Sequence, residues 1–197
     1  RNDRYDIYAQ RYANDGTPLD ANFKVNDNPS DAGHHFPAIA HDATGNFVIV
    51  WLVKGGYDPT ILAQRYASDG APLGRNMRIN EREKSIEVTE PAVACDENGG
   101  FVVTWVDEGN DDDTDVNRQY ELYAQRFDGD GAPLGSHVKV NDAMNSGALF
   151  GAAVSVNKTG NYIITWTDFR DGLRNSEIIA QRYLSDGDRL ADQAEAL

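Results

Sequence analysis

The stretch Asp107-Glu-Gly-Asn-Asp-Asp-Asp-Thr-Asp-Val-Asn117 holds five Asp and one Glu in eleven residues. Carboxylates at alternate positions, Asp111, Asp113 and Asp115 with Asp107 beside them, supply the hard oxygens that Ca²⁺ prefers. Without a cation such charges repel one another. The plainer reading, a solvated acidic loop, is favoured. Asp128-Gly-Asp130-Gly131 has the Asp-x-Asp-Gly spacing of a calcium loop, but lacks the downstream bidentate Glu of an EF-hand. Asp168 and Asp171 bracket Arg170, a ready charge partner. Glu90 stands alone as a carboxylate, and glycoside chemistry needs two.

Other chemistry is sparse. His34 and His35 precede an apolar strand without a cysteine or a second histidine at zinc spacing, so a surface connection is expected. Cys95, the single cysteine, follows Ala94 in an apolar run and reads as a small buried side chain. No nucleophile elbow, phosphate loop or dinucleotide fingerprint occurs. Sialidase-type propellers carry a Ser-x-Asp-x-Gly-x-x-Trp box. Asp42…Gly45…Trp51 and Asp96…Gly99…Trp105 depart from that spacing, which argues against a glycosidase.

Two further series recur. Trp51, Trp105 and Trp166 offer indole faces on which a sugar ring could stack. They also end apolar strands, and packing between sheets is the favoured reading. Arg11, Arg65, Arg126 and Arg182 could clasp carboxylates. Their small and aromatic neighbours favour a structural arginine bonded to backbone carbonyls, or to an acidic loop, of a neighbouring strand or blade. Gln10, Gln64, Gln125 and Gln181 precede them and share that structural reading.

These residues sit in a repeat. Ala-Gln-Arg-aromatic begins at Ala9, Ala63, Ala124 and Ala180, at intervals of 54, 61 and 56 residues. A period of this size marks a repeat architecture. Each unit has a short apolar strand (Pro37–His41, Pro91–Cys95, Ala152–Val156), then a turn with Gly45, Gly99 or Gly160 in register. A β-branched strand ending in Trp follows. Its apolar character on both alternating faces implies that both are covered. The third strand carries the Gln-Arg motif and leads through Asp-Gly into an alternating fourth strand.

Four antiparallel strands per unit, covered on both faces, predict an all-β fold of β-propeller blades. The chain reads as one repeat domain, 1–197: a half blade at 4–27 and blades at 35–81, 89–142 and 150–196. That is about three and a half blades. Open arcs expose sheet faces and edges, so self-association or further blades are expected to complete a ring. The tail 190–197 is weakly helical or a degenerate fourth strand.

A net charge of −14 and a pI near 4.5 exclude a phosphate-binding face, so nucleic acid is not an expected partner. The longest uncharged apolar run, Phe47 to Val53, is too short to cross a membrane as a helix. The blades differ most between the second and third strands: 12, 19 and 14 residues separate Trp from the motif Ala. Binding evolves in such loops.

Tyr123-Ala-Gln-Arg-Phe-Asp-Gly-Asp-Gly-Ala-Pro-Leu-Gly135 and Pro91-Ala-Val-Ala…Gly99-Gly-Phe-Val-Val-Thr-Trp105 resemble the blade repeat of large secreted bacterial proteins. Those repeats often accompany calcium-binding RTX, cadherin-like or adhesin modules. The resemblance implies a propeller at an extracellular or cell-surface location, and no defined activity. The function expected at this point is a non-catalytic module that binds glycan or protein, assisted by Ca²⁺. A structural assembly module is the first alternative and a glycan-processing enzyme the second. Calcium in the acidic loop predicts a melting temperature that rises with added Ca²⁺, by about 2.7 kcal/mol of stability at a hundredfold excess over Kd. Melting that ignores both Ca²⁺ and chelator removes the ion.

Overall fold

The computed structural model describes residues 5–27, 33–55, 59–80, 87–88, 91–109, 119–141, 148–169 and 176–190. All regular structure in these residues is β. The half blade pairs β1 (Tyr8–Tyr12) with β2 (Pro18–Lys24). Blade one is the meander β3 (Gly33–His41), β4 (Phe47–Lys54), β5 (Thr60–Tyr66) and β6 (Pro72–Arg78). In blade two the first strand is split into β7 (Glu87–Val88) and β8 (Ala92–Cys95), both paired with β9 (Phe101–Gly109). Next come β10 (Gln119–Phe127) and β11 (Val138–Lys139). Blade three comprises β12 (Leu149–Val156), β13 (Tyr162–Asp168) and β14 (Glu177–Tyr183), with a bridge from Tyr183 to Arg189 opening a fourth strand. Residues 191–197, where the tail was read, lie outside the described residues.

The second strands behave as their composition requires. β4 is buried continuously from Val48 to Val53. Alternate side chains leave opposite faces of a strand, so neighbouring blades share the core out as joints. Ile7 and Val25 of the half blade meet Ile49, Trp51 and Tyr66. Val48, Val50, Leu52, Ile61 and Ala63 meet Phe101, Val103, Trp105 and Phe127. Val102, Val106, Leu122 and Ala124 meet Tyr162, Ile164, Trp166 and Tyr183. Each blade thus has a forward face, carrying the motif Ala and Arg, and a backward face, carrying the Trp. Fully burying one such aliphatic or aromatic side chain contributes about 1.5–3 kcal/mol.

Two departures from the expected strands have one cause. β3 and β12 start at Gly33 and Leu149, upstream of the expected starts, because the ladder shifts register between His35 and Ala38 and between Phe150 and Ala153. The extra residue is Phe36 in one strand and Gly151 in the other, with φ of 53° and 63°. This bulge lets pairing resume beyond Pro37, where a proline in the sequence reads as a strand start. His34 and His35 therefore belong to a strand, not to a surface connection.

The meander also sorts the connections. The first-to-second and third-to-fourth turns lie at one end of the blades. The second-to-third loops and the links to the next blade lie at the other. At the turn end Asp42, Asp96 and Asn157 fold their turns alike: Oδ1 accepts the amides of Thr44 and Asn46, of Asn98 and Gly100, and of Thr159 and Asn161, at 2.8–3.0 Å. Gly45, Gly99 and Gly160 take the left-handed φ these turns need, 81–84°.

An arginine clasp locks consecutive blades. Arg11 donates to the carbonyl of Asp69, Arg65 to those of Gly129 and Asp130, and Arg126 to that of Ser185. In each case the acceptor is the Asp-Gly turn of the following blade. Arg182, in the last described blade, is exposed. Arg65→Ala is expected to lower stability by about 1–3 kcal/mol, since the turn carbonyls lose a charged donor. Arg182→Ala in dilute solution should stay within about 0.5 kcal/mol of wild type. Urea unfolding of the two variants checks the contrast.

Candidate functional site

The repeat separates polar groups that serve the fold from those that do not. Buried Asn26, Asn80 and Asn141 stand at the end of their fourth strands. Each accepts the amide opening its third strand, at Ile7, Ile61 or Leu122, over 2.8–2.9 Å. The Gln series bridges a ladder irregularity: the register of β1–β2 shifts across Gln10, and that of β5–β6 across Gln64. Gln64 Nε2 donates to the carbonyls of Arg65 and Gly74, Gln125 to those of Arg126 and Gly135, and Gln181 to those of Arg182 and Leu190. Gln10 likewise serves Arg11 and Leu19.

Five buried polar side chains are not shared by every blade: Thr104, mid-strand where blade one has Val50, and His34, Asp107, Glu108 and Asp168 at the loop end. Each second strand runs past its Trp, so Val53, Asp107 and Asp168 occupy one position on the backward face. Asp107 pairs with Val88 and Glu121 near the end of its ladders, and Asp168 with Leu149 and Glu177, the last pairs of its own. Glu108 lies on the forward face of blade two, in line with Val102 and Val106. Glu108 and Asp168 therefore project into the same joint, between blades two and three, and both are almost fully buried. Trp166 adds an indole N–H there that is buried without a hydrogen-bond partner. Its counterpart in blade one, Trp51, donates to His34 Nδ1 at 3.0 Å. Blade three has Leu149 in the position of His34, so its Trp166 has no imidazole to donate to.

An indole N–H can only donate, so His34 accepts at Nδ1 and its neutral ring carries the proton on Nε2. The ring is held below its ordinary value of 6.5. Burial lowers it most, Lys24 and His35 lower it further, and Asp6 opposes them.

The residues singled out in the sequence divide clearly. Trp51, Trp105 and Trp166 are 0 %, 2 % and 3 % exposed, inside the joints. No face remains for a sugar, so the stacking reading is dropped in favour of core packing. Large exposed aromatics at the loop end are instead Phe36, Phe150 and Tyr5. The Tyr5 ring lies 5.2 Å from His35, and Phe150 stands edge-on to Phe169 at 5.7 Å. Lys54 Nζ is 5.7 Å from the centre of Phe36. Asp107 is a strand residue buried in the joint between blades one and two. Asp111, Asp113 and Asp115 lie outside the described residues, as do Glu90, Arg170 and Asp171. Asp128 accepts the amides of Asp130 and Ala132 within its own hairpin turn. Among the described residues no three His, Cys, Asp or Glu side chains gather to hold a metal. Burial, with Asp42 and Asp96 nearby, pushes the Cys95 thiol up to about 12, which rules it out as a nucleophile.

The arrangement is a set of β-propeller blades, with carboxylates concentrated in the joints at the loop end. No family model and no curated protein matches the chain. Among solved structures it is similar to Hadza microbial sialidase Hz136, with a TM-score of 0.61 and 14 % identity over 81 % of this chain and 37 % of that one. It is also similar to the endo-arabinase from Bacteroides thetaiotaomicron VPI-5482, with a TM-score of 0.49 and 15 % identity over 84 % of this chain and 60 % of that one. The chain thus spans less than two thirds of either. The likeness to a sialidase overturns the expectation of a non-catalytic adhesion module. The blade fold is kept by turns whose spacing departs from the Ser-x-Asp box.

Histidine burial yields a pH dependence. The unfolded chain takes up a proton on residue 34 more readily than the folded one. The stability due to this group is therefore full above 6.5 and falls as pH drops through that value. The slope is at most about 1.4 kcal/mol per pH unit. His34→Leu, the residue blade three places there, should abolish it. Unfolding free energies of both proteins, subtracted across the pH range just below 6.5, test this.

Proposed function

We propose that this chain forms the blades of a β-propeller that cleaves glycan at its loop end. The observation that carries the reading is the placement of buried Glu108 and Asp168 in one joint, which also holds the unpartnered N–H of Trp166. Glycosidic bonds are broken by two carboxyl groups, one protonating the leaving oxygen while the other activates water or attacks the sugar. Asp168 stands at the last pairs of its strand and Glu108 one residue from the end of β9, so both lie at the loop end of the joint. Exposed Phe36 and Phe150 present apolar faces of the kind on which pyranose rings pack.

The comparison with a sialidase supports the reaction class, and the resemblance to secreted blade repeats supports an extracellular location. Sialic acid as the particular sugar has no support in these residues: Arg11, Arg65 and Arg126, which could clasp a carboxylated sugar, are engaged at the turn end.

The test is turnover on a broad panel of glycosides and polysaccharides, followed by Glu108→Gln and Asp168→Asn. Each should lower kcat by about 10²–10⁴-fold with the fold intact. Asp168→Val, which copies blade one, should lose activity while melting no lower than wild type. Absence of turnover by the wild-type chain on every member of the panel removes the proposal.

A further inference from the structure

We propose that Phe36 is the platform of a glycan subsite at the loop end, on which a neutral pyranose ring packs. The inference rests on the reading of the loop end as the side of the blades that handles glycan.

The bulge of blade one places this residue. Its φ of 53° lies in the left-handed region, where a bulky side chain is an outlier. Blade three meets the same need with Gly151, whose φ is 63°. Glycine takes that conformation at no steric cost. The fold thus asks for glycine here, and blade one supplies phenylalanine. Burial does not offset the strain, because the ring is 42 % exposed. Residues held in such conformations cluster at active sites and ligand clamps.

Neither end of the sequence accounts for this exposure. Along β4, Lys54 alternates with Val50 and Leu52 and so shares their forward face, which is buried against blade two. Lys54 Nζ is the cation beside the Phe36 ring. His35 pairs with Leu52 in the same ladder, and its ring stands 5.9 Å from that of Phe36, tilted by 39°. Phe36 therefore belongs with groups on the side of blade one that meets blade two, and both of these blades are present. Beyond His35 lies the ring of Tyr5, whose carbonyl accepts the His34 amide at 3.1 Å. First strands of successive blades lie against one another, β3 on β8 and β8 on β12. They are the strands around the axis of the arc, and Phe36 stands at their loop end.

An exposed aromatic ring offers a flat apolar face of large area. The C–H face of a pyranose is its complement. With a net charge of −14 the chain repels an acidic sugar, which favours a neutral one.

Isothermal titration calorimetry on the whole chain tests this, with cellohexaose, mannohexaose and β-1,4-galactohexaose as probes. Asp168→Asn serves as the parent, so that no probe is hydrolysed during the titration. At least one hexaose should bind. Phe36→Gly should weaken that binding by about tenfold or more. Phe36→Tyr keeps a flat ring and should bind as the parent does. Since glycine suits the backbone at this position, Phe36→Gly should melt within about 2–4 °C of its parent. Binding that depends on Phe36, in a chain that turns over no glycoside, keeps the subsite and removes the hydrolytic reading. Turnover in a chain whose affinity ignores Phe36→Gly removes the subsite and keeps that reading. A parent that binds none of the three hexaoses overturns the subsite.

Discussion

A sheet that is apolar on both faces cannot end in water, and this constraint shapes everything else in the chain. From Val48 to Val53 every side chain of β4 is buried, so blade one needs a neighbour on each side. The core is a series of joints in which each blade touches only the next, as in other repeat proteins. Apolar contact has no direction of its own. Left to it, two sheets could slide or rotate over one another. The arginine clasp supplies direction: one donor fork on the forward face meets carbonyls at a fixed turn of the next blade. Those carbonyls need donors if they are to leave water. Spacing, register and the order of blades follow from that polar anchor.

The two ends of the blades answer to different demands. At the turn end each group has a repeated partner. Asx oxygens hold the first turn, and Asn46 and Asn161 each reach across to the amide of the second, at Ser68 and Ser185. Arginine holds the next blade. A substitution there disturbs every joint in the same way. At the loop end the ladders finish, and the finishing residues differ: Val53, Asp107 and Asp168 in one position, His34, Val88 and Leu149 in another. A rigid scaffold with a variable rim is where chemistry can change without loss of the fold.

The blades were legible in the sequence because β-branched strands, Asp-Gly turns and a shared tetrapeptide all carry the same period. The site was much less so. Alignment of three blades ends the second strand at Trp, because the next residues diverge. The ladder in fact continues two to four residues further. Once it does, alternation alone puts Asp107 and Asp168 on the Trp face and Glu108 on the other. Chain reversals likewise settle which connections share an end. His34 was hidden by Pro37, which reads as a strand start until a bulge at Phe36 is known.

Burying a carboxylate carries a penalty of several kcal/mol per charge unless geometry and hydrogen bonds compensate. Blade one shows what the fold itself requires at these positions: Val53 closes its joint, and Trp51 finds His34. Blade three has neither solution. Asp168 replaces the valine, Leu149 replaces the histidine, and the Trp166 donor is left over. Across the same joint blade two contributes Glu108, where the neighbouring forward-face positions hold Val102 and Val106. Glu108, which has no acidic counterpart in the other blades, shares this joint with the buried Asp168 and the unpartnered Trp166 donor, and packing alone does not call for such a polar set. The joint between blades two and three thus carries a polar load, with Glu108 on one face and Asp168 and the Trp166 donor on the other, where blade one closes with Val53 and His34.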